Sequence, residues 1–153
     1  KKKNVKIAFT LSDPNIVSAF KERMLNILNS KVDVLFCNDE EAKVITDLEN
    51  SEQALKKLGE YSDKVFVTLG SKGAMILENG DIEYVSGYEV DPIDTNGAGD
   101  MFAGAVLNSL LLGNSNKDAA SFGCFLASRG VTVFGPRLER DEYLKYQKEF
   151  NSL

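Results

Sequence analysis

The segment 94–100 reads DTNGAGD and combines three small residues with a carboxylate at the start of an apolar run. Gly97, Ala98 and Gly99 let the backbone turn tightly and approach a ligand closely. The first N–H groups of a helix have no partner within it and, together with the helix dipole, favour anions. Asp100 would place a base for a hydroxyl beside these donors, and phosphoryl transfer requires both. Alone, the segment also fits a Gly-rich turn whose acidic residue is favoured by the helix dipole.

Two further groups of polar residues follow predicted strands. Asn38 and Glu41 come directly after the strand-like run 32–37, and open α/β sheets bind ligands beyond the carboxyl ends of their strands. The same residues also fit the solvated first turn of a helix. The turn 70–73, GSKG, could line a phosphate site with its backbone N–H groups and Lys72, although it equally fits an ordinary turn.

The composition restricts the chemistry that the chain can perform. Its 153 residues contain no histidine, which excludes a Ser-His-Asp or Cys-His site and disfavours a transition-metal site within this chain. Any acid–base chemistry would therefore have to use carboxylates, Lys or Tyr. The net charge of -5 argues against nucleic acid as the main partner, because a phosphate backbone is bound by basic surfaces.

The apolar residues indicate a globular protein without a membrane partner. They make up 43% of the sequence, but no apolar run approaches membrane-spanning length, and we recognise no signal peptide. Cys37 and Cys124 lie in apolar surroundings, so we expect buried free thiols in a reducing compartment. We therefore expect the protein to be cytoplasmic.

Hydrophobic periodicity predicts strands that alternate with helices. The predicted strands are 5–11, 32–37, 64–69, 74–77 and 81–85, the last two joined by Asn79-Gly80 as a hairpin. The predicted helices are 14–29, 40–45, 51–58, 101–112, 118–129 and 140–150. We expect Asp13 and Ser51 to cap helices, and Gly104 and Ala105 to pack closely in a helix that is buried on most faces. This order predicts an α/β sheet that is partly parallel.

Three motifs in this order resemble the ribokinase-like (pfkB-type) carbohydrate kinases. NDEE at 38–41 matches the family's Asn-x-x-Glu motif, VTLGSKGA at 67–74 its nucleotide-loop strand, and DTNGAGD at 94–100 its second signature. The segment 134–136, FGP, falls where the family has a closing loop. Leu11-Ser12 before a proline, together with 32–36 and 93–96, is similar to the adenosine-kinase branch.

The resemblance implies a ribokinase-like three-layer α/β/α fold with a partly parallel central sheet. It implies that residues 1–153 are the carboxyl-terminal, ATP-binding and catalytic part of one kinase domain, without the amino-terminal substrate and lid half. We expect association with that missing half, or self-association through the apolar surface left uncovered.

The resemblance also implies roles for individual residues. Asp100 would be the general base that takes a proton from a primary hydroxyl, which attacks the γ-phosphorus of ATP in line. Backbone N–H groups of the segment 97–100 (Gly97, Ala98, Gly99 and Asp100) would hold the γ-phosphoryl oxygens. Asn38 and Glu41 would organise Mg²⁺ and phosphate, Glu41 through water.

The remaining implied residues belong to nucleotide and cation binding. Nucleotide phosphates and ribose would be lined by Thr68, Gly70, Lys72 and Gly73. The small-residue helix around Gly123 and Cys124 would flank the adenine. A monovalent cation, K⁺ in several members, would be held by Asp94 and Asn96 with the loop near Gly135.

These roles predict ATP-dependent phosphoryl transfer to a primary hydroxyl of a small-molecule sugar or nucleoside. The alternative is a non-catalytic nucleotide-binding fragment or regulatory module of the same fold. A dinucleotide-binding Rossmann domain fits poorly, because no Gly-x-Gly-x-x-Gly follows the first strand and no acidic residue stands at the ribose-binding distance.

Overall fold

The computed structural model describes residues 5–152, so the lysines at 1–3 lie outside it. The strands are β1 Ala8–Thr10, β2 Val34–Asn38, β3 Lys64–Thr68, β4 Gly73–Glu78 and β5 Asp81–Ser86, and a 3₁₀ turn spans Gly70–Lys72. The helices are α1 Pro14–Leu28, α2 Asp39–Thr46, α3 Ser51–Leu58, α4 Ala98–Leu111, α5 Asn116–Gly130 and α6 Arg140–Phe150. None of the described helices is both long and apolar enough to cross a membrane.

The five strands form one sheet in the order β1-β2-β3-β4-β5. The pairs β1–β2 and β2–β3 are parallel, with Phe36 opposite Phe66 in the register. Interior residues of β2 and β3 are buried in continuous runs, as expected for parallel strands covered on both faces. Asn79 and Gly80 both have positive φ angles, which fits the predicted two-residue hairpin between β4 and β5.

The helix starts confirm one predicted cap and correct another. Asp13 caps α1, because its Oδ1 accepts hydrogen bonds from the N–H groups of the second and third helical residues, and Pro14 is the first residue of the helix. The prediction of Ser51 as the cap of α3 is wrong. Asn50 precedes it in an extended conformation and accepts a hydrogen bond from Gln53 N–H at 2.9 Å, so Ser51 is already helical.

The chain divides into two compact units. The first comprises residues 5–69 and 75–83, where α1, α2 and α3 contribute to one apolar core with the strands. Leu28, Leu35, Leu55 and Val65 are fully buried in this core. Cys37 is a buried free thiol, as predicted.

The second unit comprises residues 70–74 and 84–152, and its main helices are α4, α5 and α6. A Cβ atom on Gly123 of α5 would lie 2.7 Å from the ring of Phe102 and 2.9 Å from Val106, both on α4. The absence of a side chain at Gly123 therefore lets α4 and α5 approach closely. Phe150 of α6 packs against Phe122 and Phe125 of α5, at 5.1 and 5.4 Å between ring centroids.

Helix α4 differs from its prediction in start and burial. It begins at Ala98, three residues before the apolar run, because the first turn needs backbone geometry rather than apolar side chains. Within the described chain only one face of α4 is buried, and Leu111 is 87% exposed. The prediction that this helix is buried on most faces is therefore wrong. Gly104 is exposed, and a Cβ atom added to it would meet no neighbouring atom within 4 Å, whereas Ala105 is buried as expected.

We expect Gly123→Ala to destabilise the protein and Gly104→Ala to leave it equally stable or slightly more stable. The first adds a methyl group to a filled helix contact, which typically costs about 1–3 kcal/mol. The second adds it in open space and gains helix propensity of up to about 1 kcal/mol. Urea denaturation of the full-length protein measures both. Equal effects of the two variants would contradict this account of the α4–α5 contact.

Candidate functional site

The start of α4 depends on Gly97, whose φ angle of 75° lies in the left-handed region. A Cβ atom here would lie 2.4 Å from the carbonyl oxygen of Pro136, so no side chain can be accommodated. No side chain caps the helix, and Met101 N–H donates to the Gly97 carbonyl oxygen at 2.9 Å. Glycine at position 97 therefore permits both the turn and the close approach of Pro136.

This helix start leaves backbone donors available. Ala98 N–H donates to the Thr95 carbonyl oxygen at 3.3 Å, a long hydrogen bond. Among residues 5–152, no acceptor is paired with the N–H groups of Gly99 and Asp100, and both residues are exposed. Donors at the positive end of a helix dipole favour anions. Gly99 and Asp100 can therefore offer two of the predicted phosphate donors.

The Asp100 side chain is positioned for acid–base chemistry. It belongs to the first turn of α4, and its carboxylate forms no hydrogen bond or ion pair with any residue in the described range. It borders an open cavity of about 510 Å³ that also contacts Arg137, Leu126 and Tyr143. A carboxylate with available oxygens beside a cavity can accept a proton from a bound hydroxyl.

Two loops meet next to this helix start. We call 93–97 the signature loop and 131–136 the closing loop. Asp94 joins them, because its Oδ2 accepts a hydrogen bond from Gly135 N–H at 3.0 Å while its Oδ1 accepts one from Asn96 N–H at 3.0 Å. Both carboxylate oxygens are thus engaged by backbone donors. No cluster of three acidic, Cys or His residues that could hold a metal occurs in the described chain, and the cation role of Asp94 and Asn96 stays a prediction.

In the first unit, Asn38 and Glu41 bind each other at the start of α2. Glu41 Oε1 and Oε2 accept hydrogen bonds from Asn38 Nδ2 at 2.8 Å and Asn38 N–H at 3.0 Å, and Glu41 N–H donates back to Asn38 Oδ1 at 2.8 Å. This reciprocal pair is a capping box. Burial raises the pKa of Glu41, whose side chain belongs to a residue only 4% exposed. Because both oxygens are engaged, the geometry suits contact with Mg²⁺ through water better than direct ligation.

Thr68 ends β3 as the register partner of Asn38 at the end of β2. Asn38 and Thr68, two of the three predicted ligand residues of the first unit, therefore lie side by side at the carboxyl edge of the parallel strands. Ligands of open α/β sheets are bound beyond this edge.

The two glycines of the turn 70–73 differ in whether their surroundings leave room for a side chain. Gly70 has a φ angle of 61° with open space around its Cβ position. Gly73 has a φ angle of 106°, and a Cβ atom there would lie 1.9 Å from the Val85 carbonyl oxygen. Gly73 is thus required by strand packing. Lys72 contributes its carbonyl oxygen to a 3.2 Å hydrogen bond from Gly87 N–H.

The position of Gly123 argues against direct contact with an adenine. It is buried against Phe102 and Val106 at the contact between α4 and α5, so it offers packing space rather than a ligand surface. Cys124 beside it is a free thiol that is 8% exposed, and burial raises the pKa of Cys124 to about 12. Both predicted adenine residues, Gly123 and Cys124, are thus buried in the described part of the chain.

Comparisons with known proteins identify relatives of this architecture. The family model described as pfkB family carbohydrate kinase matches residues 1–142. A ribokinase from Haemophilus influenzae is 32% identical over 141 residues, covering 88% of this chain and 44% of the relative. The solved adenosine kinase of Sinorhizobium meliloti matches with a TM-score of 0.88 and 26% identity, covering 94% of this chain and 45% of that one. Arabidopsis thaliana ribokinase, solved with ribose and ATP, matches with a TM-score of 0.75 and 26% identity, covering 97% and 49%.

The solved neighbours confirm the predicted ribokinase-like α/β fold with a partly parallel sheet. The chain belongs to the pfkB family of carbohydrate kinases. It spans less than half the length of the ribokinase and adenosine kinase compared above.

Sequence reasoning missed the contribution of the closing loop to the helix start. Pro136 faces Gly97, and Gly135 N–H binds Asp94 across 41 residues of sequence. The resemblance assigns the loop near Gly135 a closing position and a cation role with Asp94 and Asn96. No local pattern reveals that Gly135 N–H binds the Asp94 carboxylate or that Pro136 faces Gly97. Arg137 beside the cavity follows the same loop and carried no signal of its own.

We expect Glu41→Gln to change how stability depends on pH. Burial raises the pKa of Glu41 above its ordinary 4.5, so the folded state holds this proton more tightly than the unfolded chain. The contribution of Glu41 to the free energy of unfolding is therefore greatest at low pH and declines as pH rises from about 4.5 through the raised pKa. Urea denaturation without Mg²⁺ from about pH 4 to pH 8 measures this effect. As the pH rises, the free energy of unfolding of Glu41→Gln should increase relative to that of the wild type.

The exposed Glu49→Gln provides a matched control for this pH series. It removes a carboxylate from the same region without touching the Asn38–Glu41 pair, so its curve should follow the wild type. Parallel curves for Glu41→Gln and the wild type would contradict the proton-linked contribution of Glu41.

Proposed function

We propose that this chain provides the ATP-binding and catalytic part of a kinase that transfers the γ-phosphoryl group of ATP to a primary hydroxyl of a sugar or nucleoside. The observation that carries the proposal is the start of α4. An exposed Asp100 carboxylate stands on the same helix turn as two unpaired N–H donors, beside an open cavity. Membership of the pfkB family supports the same reaction class.

In this proposal Asp100 accepts the proton of the acceptor hydroxyl as its oxygen attacks the γ-phosphorus in line. The N–H groups of Gly97, Gly99 and Asp100 stabilise the charge on the transferring phosphoryl oxygens, with Ala98 N–H joining once its bond to Thr95 opens. Preorganised donors of this kind each contribute about 3–4 kcal/mol to lowering a barrier.

The nucleotide would be held from several elements. Thr68, Gly70, Lys72 and Gly73 would line its phosphates and ribose, and the α5 segment at Cys124 would flank its base. Mg²⁺ bound with the nucleotide neutralises phosphate charge. Asn38 and Glu41 would hold it through water, which is consistent with a carboxylate whose oxygens are both engaged.

The acceptor class is inferred from the relatives. A ribokinase and an adenosine kinase are both similar to this chain, so sugars and nucleosides are the acceptors to test. The similarity of Leu11-Ser12 and of the segments 32–36 and 93–96 to the adenosine-kinase branch favours a nucleoside.

A second candidate is a nucleotide-binding module without catalysis. It is favoured by one observation, the coverage of less than half of the relatives' length. In either case we propose that the amino-terminal half of the domain supplies acceptor contacts, and that this chain associates with that half or with itself. Large exposed apolar side chains such as Leu112 and Phe134 support such association.

The decisive variant is Asp100→Asn, which keeps size and removes the base. We expect turnover to fall by about two to four powers of ten, measured as acceptor-dependent ADP release from Mg²⁺-ATP by the full-length protein. The acceptor panel contains adenosine, other nucleosides, ribose, fructose and sugar phosphates. Asp141→Asn, an exposed first-turn carboxylate of α6, is the matched control and should retain activity.

Near-wild-type turnover of Asp100→Asn would contradict the assignment of the base. ATP binding without ADP release for any acceptor would support the non-catalytic module instead.

A further inference from the structure

The signature loop and the closing loop are held together at three points. Ile93 N–H and Asp94 N–H both donate to the Val131 carbonyl oxygen, at 2.7 and 3.2 Å. Asp94 Oδ2 accepts from Gly135 N–H at 3.0 Å. The third point is the contact of Gly97 with Pro136, where a Cβ atom would meet the carbonyl oxygen at 2.4 Å. Residues of the closing loop thus fix both ends of the signature loop.

The Asp94 carboxylate has a distinct position in this arrangement. One oxygen closes a local turn onto Asn96 N–H, and the other reaches the backbone of Gly135. A carboxylate that accepts backbone N–H donors makes stronger hydrogen bonds than a neutral acceptor. The same side chain therefore sets the shape of the turn before Gly97 and anchors that turn to the closing loop.

We propose that Asp94 is a positioning residue for phosphoryl transfer, because its two hydrogen bonds fix the turn that sets Gly97 and the first donors of α4. This inference rests on the proposed function. Asp94 touches neither of the proposed reacting groups, and it acts through the placement of Gly99 N–H, Asp100 N–H and the Asp100 carboxylate. Catalysis by preorganised donors is sensitive to small displacements, so loss of the bridge lowers kcat more than it weakens ATP binding.

The other role for Asp94 is as a ligand of a monovalent cation between the same loops. In this chain both of its oxygens already accept N–H groups, and direct hydrogen bonds connect the loops. The ligand role predicts that K⁺ activates the wild type and that Asp94→Asn loses this activation. The positioning role predicts that Asp94→Ala lowers kcat at every K⁺ concentration.

The test compares Asp94→Ala and Asp94→Asn with Asp91→Asn in the full-length protein. Asp91 is an exposed carboxylate of the preceding segment and serves as the matched control. We expect Asp94→Ala to lower kcat by about 10- to 100-fold and to change KM for ATP by less than about threefold. Asn keeps one acceptor oxygen, so Asp94→Asn should be intermediate.

A second measurement is independent of turnover. Amide hydrogen exchange without ligand should be faster at Gly135 and Asn96 in Asp94→Ala than in the wild type, and unchanged in Asp91→Asn. Asp100→Asn should leave exchange at Gly135 unchanged. This readout separates loosening of the loops from loss of the base.

Three results would overturn the proposal. The first is unchanged exchange at Gly135 in both Asp94 variants. The second is a rise in KM for ATP with unaltered kcat. The third is wild-type activity that requires K⁺ together with loss of that requirement in Asp94→Asn, which would make Asp94 a cation ligand. If the wild type transfers phosphate to no acceptor, the proposed function fails, and unchanged Gly135 exchange separately refutes the hydrogen-bonded bridge.

Discussion

The close approach of Gly97 to Pro136 is the constraint on which the candidate site depends. Only a residue without a Cβ atom, at a φ angle of 75°, can stand where the closing loop passes. That geometry starts α4 without a side-chain cap and leaves the N–H groups of Gly99 and Asp100 open to solvent. A Ser, Thr, Asp or Asn cap would occupy one of these donors. The helix therefore begins in a form suited to binding an anion.

The first unit provides a contrasting helix start. In α2 the N–H groups of Asn38 and Glu41 are each satisfied by the other residue's side chain, and Glu41 is buried. The start of α2 is thus capped by its own side chains, whereas the start of α4 leaves backbone N–H donors available.

Local signals in the sequence were sufficient for much of the fold. Asp13-Pro14 marked the start of α1, Asn79-Gly80 marked the hairpin, and the glycines before Asp100 marked a helix start. Each of these features depends on residues within one turn of one another. The Asn50 cap was missed because two adjacent polar residues, Asn50 and Ser51, both suit the position.

The remaining features arise from contacts between distant residues. The packing roles of Gly73 and Gly123 depend on Val85 and on Phe102, and the Asp94–Gly135 bond joins segments far apart in sequence. The sequence of α4 is apolar on nearly all sides. It does not reveal which of these sides pack against other elements of the chain. The roles of Asp100 and the nucleotide residues rest on family resemblance together with this geometry.

The most direct test of the central claim is amide hydrogen exchange across 97–101 upon addition of Mg²⁺-ATP, with the start of α6 at 139–142 as an internal reference. Exchange at Gly99 and Asp100 should slow on binding, while exchange at the α6 amides should be unchanged. Saturating nucleotide, verified by calorimetry, with no change in exchange across 97–101 would contradict the claim that this helix start holds the phosphate.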